Sequence, residues 1–100
     1  MFAITLDRDK LDELCSKNTK TLTEMALKLA EETGEVAQAV LSVEKSQGSA
    51  YKAKDVADVI EELVDATMVI ESMLHRLKVT DSEFNAVFNQ KLKKWEEKTK

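Results

Sequence analysis

Proline is absent from this chain of 100 residues, and glycine occurs only at positions 34 and 48. With so few helix breakers there is no linker to divide the chain, so one small domain rich in long helices is expected. Cysteine occurs once, at Cys15, which excludes an intrachain disulfide; set among Leu11, Leu14 and Lys17, it suits a thiol packed between helices better than a nucleophile. Histidine also occurs once, at position 75, so zinc and copper would lack their usual nitrogen and sulfur ligands. A concentrated basic stripe is missing too: the formal net charge is -4, with acids and bases mixed along the chain, and no nucleic-acid partner is expected. Nor is there a long hydrophobic run. Residues 1–6 are apolar but too short for a signal sequence or a membrane span, and Asp7-Arg8-Asp9 interrupts them, so the expectation is a cytoplasmic protein with no membrane partner.

What the chain does contain is helix-forming residues: hydrophobic types make up 43% and charged types 34%, with Ala, Leu, Glu and Lys prominent. Four helical segments can be marked. The first runs from about residue 7 to 17. Thr21-x-x-Glu24 has the form of a capping box, opening a second helix at Thr21 or Leu22 that continues to about Glu44, before Ser46-Gln47-Gly48-Ser49 interrupts it. A third spans roughly residues 54 to 77, and a second capping box, Thr80-Asp81-Ser82-Glu83, opens a fourth from Asp81 to about Lys98. The fold class is therefore all-α, a four-helix protomer built on a long central hairpin. Apolar stripes on helices of more than twenty residues exceed what one hairpin can bury, which predicts association into helical-bundle dimers or tetramers.

Two acidic signatures break this apolar pattern, Glu31-Glu32-Thr-Gly-Glu35 and Glu62-Leu-Val-Asp65. Residues three and four apart share a helix face, with β-carbons about 5–6 Å apart, so Glu32 neighbours Glu35 and Glu62 neighbours Asp65. Along the line Met25, Leu29, Glu32, Val36, Ala39 and Val43 every member is apolar except the carboxylate, while Glu35 lies further round. In the third segment Val56, Val59, Ile60, Leu63, Ala66, Thr67, Ile70, Met73, Leu74 and Leu77 form the main apolar face. Asp58, Glu62, Asp65 and Val69 form a separate line. A lone Glu-x-x-Glu pair is usually a solvated face. Two such pairs on adjacent antiparallel helices about 8–10 Å apart can meet at one point, where a cation must relieve their repulsion. Ligands that are all oxygen select a hard ion, Mg²⁺ first and Mn²⁺ as its substitute.

The order E-E-x-x-E, loop, E-x-x-D resembles the signature of the MazG-like nucleoside triphosphate pyrophosphohydrolases, of the all-α NTP pyrophosphatase superfamily. The likeness extends to the Gly before the third acid in Leu-Ala-Glu-Glu-Thr-Gly-Glu-Val (29–36) and to Glu61-Glu62-Leu-Val-Asp65-Ala, and it covers residues 22 to 98. The resemblance implies Glu32, Glu35, Glu62 and Asp65 as magnesium ligands, with Glu31 binding a further ion or orienting water. The implied reaction splits a nucleoside triphosphate, a deoxynucleotide as first guess, between its α and β phosphates. Glu31 or Glu35 is the candidate base for the attacking water. Lys91, Lys94 and Lys98, at steps of three and four on the fourth helix, are the expected phosphate-binding cations. Trp95 stands where many relatives carry Asn; it is either a base or sugar contact or, the favoured reading, a core residue beside Phe84, Phe88 and Leu92. A ferritin-like di-iron site would need Glu-x-x-His, and Ser72 stands three before the only histidine. The remaining alternative is a non-catalytic helical dimerisation or regulatory module whose acids are solvated.

Overall fold

Helix ends are set by side chains that satisfy the backbone N–H groups a helix leaves unpaired. In a computed structural model, which describes residues 7–44 and 55–100, four α-helices follow one another: α1 (Arg8–Ser16), α2 (Leu22–Val43), α3 (Val56–Arg76) and α4 (Asp81–Lys98). Thr21 Oγ1 accepts from Glu24 N at 3.0 Å while Thr21 N donates to Glu24 Oε1 at 2.9 Å, the capping box expected for α2. Thr80 and Glu83 repeat it at α4. α3 opens with a third box that the sequence reading did not mark, in which Asp55 N donates to Asp58 Oδ2 at 2.9 Å and Asp58 N to Asp55 Oδ1 at 3.1 Å. The expected break at 46–49 lies outside the described residues. Among the described residues, no helix is long and apolar enough to cross a membrane.

The central pair is a hairpin. Arg76 at the end of α3 donates to the carbonyl of Asn18, just before α2, at 2.7 Å, while Glu32 meets Glu62 and Asp65 further along, so the two helices run antiparallel. On α2 the seam is the line read from the sequence: Met25, Glu32 and Ala39 are buried, and Leu29, Val36 and Val43 are half-buried. α1 packs on α3, held by Arg8 Nη1 to Glu71 Oε2 at 3.0 Å and by buried Cys15, whose Sγ lies 3.7 Å from Ser72 Oγ. That is the packing role expected of the thiol.

On α3 the orientation differs from the sequence expectation. The half-buried residues include Val59, Ala66, Met73 and Leu74 of the expected apolar face together with Asp58, Glu62 and Val69 of the acid line, so the covered strip of α3 straddles the boundary between the two. Much of the face read as the main apolar one turns outward, with Val56 63%, Leu63 50% and Leu77 56% exposed, and Ile60 and Ile70 exposed as well. α4 packs along no other helix among the described residues. The expected core of Phe84, Phe88, Leu92 and Trp95 is accordingly not formed within the protomer: all four are exposed, Trp95 by 67%. Phe84 and Phe88 contact each other, ring centroids 5.8 Å apart.

Candidate metal centre

Glu32 sits in the apolar seam of α2, one turn from Leu29 and Val36, and is only 8% exposed. Across the hairpin, α3 presents Glu62 half-buried and Asp65 exposed. One carboxylate oxygen from each of Glu32, Glu62 and Asp65 lies within 4.8 Å of the other two. The cluster thus has a closed side, at Glu32, and an open side, at Asp65. Three oxygens so placed are the donor set a hard divalent ion uses, and neither sulfur nor imidazole is among them.

A cation already stands beside this cluster. Lys28 Nζ lies 3.2 Å from Glu32 Oε1 and 3.2 Å from Glu31 Oε1, one turn back along α2. Hydrogen bonds to Glu32 and then Glu31, with their negative charge, hold the Lys28 ammonium above its ordinary pKa. A cavity of about 220 Å³ adjoins it, lined by Lys20, Met25, Lys28, Met68 and Val69 among others. Lys28 was not singled out in the sequence, although its place four before Glu32 and three before Glu31 was a visible signal.

The remaining expected site residues divide by location. Glu31 is exposed and paired with Lys28. Glu35 is exposed and outside the grouped trio, so three of the four expected ligands are gathered and the fourth stands apart. Gly34, between them, has open space where a Cβ would project. Lys91, Lys94 and Lys98 are exposed on α4, which packs on neither α2 nor α3, and Trp95 shares that helix. His75 lines a separate cavity where α1, α3 and the start of α4 meet, beside the Arg8–Glu71 ion pair. No protein-family profile, curated protein or solved structure matches this chain.

Proposed function

We propose that this chain hydrolyses nucleoside triphosphates, deoxynucleotides first, to the monophosphate and pyrophosphate in a Mg²⁺-dependent reaction of the MazG-like kind, with Mn²⁺ as a substitute and nucleotide-pool control or house-cleaning in the cytoplasm as its role. The observation that carries this reading is the gathering of Glu32, Glu62 and Asp65 around one point between two antiparallel helices. Its support from sequence is the E-E-x-x-E and E-x-x-D order.

Glu32, Glu62 and Asp65 would hold the ion, buried Glu32 fixing its depth and exposed Asp65 leaving one side open to a phosphate. A bound Mg²⁺ supplies charge for the phosphate oxygens and acidifies water. Hydrolysis places the water oxygen on phosphorus as the α–β bridging oxygen departs with pyrophosphate. Glu35, or Glu31 once released from Lys28, accepts the water proton. Glu31 is otherwise a ligand for a further ion. Lys91, Lys94 and Lys98 would neutralise the triphosphate and Trp95 would meet base or sugar wherever α4 is brought beside an acid cluster.

A panel of canonical and modified nucleoside triphosphates with Mg²⁺, assayed separately for pyrophosphate and orthophosphate, tests this. Pyrophosphate and monophosphate should form together, and Asp65→Asn should abolish both while the far-UV circular dichroism stays unchanged. Orthophosphate as the sole product would refute the cleavage point. The exposed apolar faces also favour a second reading, a non-catalytic helical association module, which predicts no product and indifference to Mg²⁺.

A further inference from the structure

The cavity where α1, the end of α3 and the start of α4 meet encloses about 350 Å³, the size of a small-ligand pocket. Its wall carries one guanidinium, Arg8, against the three carboxylates of Asp12, Glu71 and Asp81. That guanidinium is already engaged, since Arg8 Nη1 donates to Glu71 Oε2 at 3.0 Å. The hydrogen bond and charge of Glu71, then the charges of Asp12 and Asp81, hold Arg8 above its ordinary pKa, so both aspartates lie within electrostatic reach of one centre. Neither aspartate makes a direct ion pair among the described residues. Beside this excess of negative charge the wall is apolar, formed by Leu74, Val79 and the ring of Phe84. We infer that the cavity binds a small organic cation, an alkylammonium whose charge lies toward Asp12 and Asp81 and whose hydrocarbon lies on Leu74, Val79 and Phe84.

Both parts of the wall select this occupant over its rivals. An anion would meet three carboxylates and a guanidinium fork already in use. A hard metal ion needs carboxylate oxygens gathered at one point, and among the described residues that gathering is at Glu32, Glu62 and Asp65, within 4.8 Å, not here. An alkylammonium pairs with the aspartates while its chain leaves water, and a cation beside the face of Phe84 gains further attraction. Occupancy also bears on α4, which packs along no other helix among the described residues. Asp81 and Phe84 belong to its start, Asp12 to α1 and Leu74 to α3, so the ligand ties α4 to both. None of these residues belongs to the acid trio, and the cation site stands or falls apart from triphosphate hydrolysis.

Titration of n-butylammonium chloride into the isotope-labelled protein at constant ionic strength, followed by two-dimensional amide NMR, tests this inference. Saturable shifts should appear together at Asp12, Leu74 and Asp81, one residue from each helix. Methylammonium should bind about tenfold more weakly for want of hydrocarbon, and butanol and butyrate should give no saturable shift. Asp12→Asn and Asp81→Asn, at exposed positions, should each weaken butylammonium binding about two- to fivefold. Should a variant lose its fold, the comparison of butylammonium with butanol on the wild type decides. Shifts that never saturate, equal shifts from butanol, or an affinity unchanged in both folded variants would overturn the inference.

Discussion

Glu32 is the residue on which the acid cluster turns, because it is the most deeply buried carboxylate of the trio between α2 and α3. Lys28 offsets part of its charge through a surface ion pair, of a kind worth only a fraction of a kilocalorie to about 1 kcal/mol in general. A divalent ion at Glu32 must compete with that ammonium. Lys28→Met should therefore tighten Mn²⁺ binding by about two- to fivefold, measured by electron paramagnetic resonance; weaker or unchanged binding would show that Lys28 does not compete. The position of Glu32 was legible because a carboxylate interrupted an otherwise apolar line at helical spacing. The place of Glu35 further round the helix was legible too, but the resemblance put it among the ligands and it lies outside the trio. Both acid pairs share the same i, i+3 step, and only the rotation of each helix about its own axis decides whether the second member reaches the seam. For α3 that rotation brings Asp65 to the trio, and for α2 it leaves Glu35 outside.

At the scale of elements, the capping boxes fix where helices begin. The Thr21 and Thr80 boxes were readable because each pairs a Thr with Glu at the third helical position. The α3 box uses two aspartates, and Asp58 therefore read as part of an acid face rather than as a cap. Thr80→Ala should lower stability by about 1 kcal/mol in chemical denaturation. Hydrogen bonds from the Thr80 backbone and then its hydroxyl hold Glu83 below its ordinary carboxylate pKa, and Thr21 does the same for Glu24. A depressed folded-state pKa stabilises above the unfolded value and loses that contribution as pH falls through the folded one. Glu83→Gln, which keeps the hydrogen-bonding shape but cannot titrate, should flatten the loss of melting temperature on the acid side of pH 4.5. An unchanged acid slope would remove Glu83 as its source. The end of α3 held a surprise for sequence reading: Lys78 adopts φ 57, with its N–H bonded to the His75 carbonyl and Val79 N–H to that of Leu74. This is the left-handed cap usually given to glycine. Lys78→Gly should stabilise the protein by about 1 kcal/mol in urea unfolding.

At the scale of the whole molecule, four helices and a long hairpin were legible from the absence of breakers and from two boxes, and helix bounds depart from expectation only at their ends. That acids of α3 reach α2 was legible in the two spaced acid pairs; how the apolar face divides, with Val59, Ala66 and Met73 half-buried and Ile60, Leu63 and Ile70 exposed, was not. Hydrophobicity ranks faces for burial without saying which neighbour buries them, and an acid line beside α2 leaves the richer apolar face available for another surface. A ligand-organised cluster across the hairpin should also tie α2 to α3, so the melting temperature should rise on adding Mg²⁺, whereas Glu62→Gln should remove that rise. The most direct measurement is a calorimetric titration of Mn²⁺ into the wild type and into Asp65→Asn. Saturable binding by the wild type, lost in the folded variant, is the expected result. Absence of binding by the wild type, or binding that survives Asp65→Asn undiminished, would contradict a metal centre built from Glu32, Glu62 and Asp65.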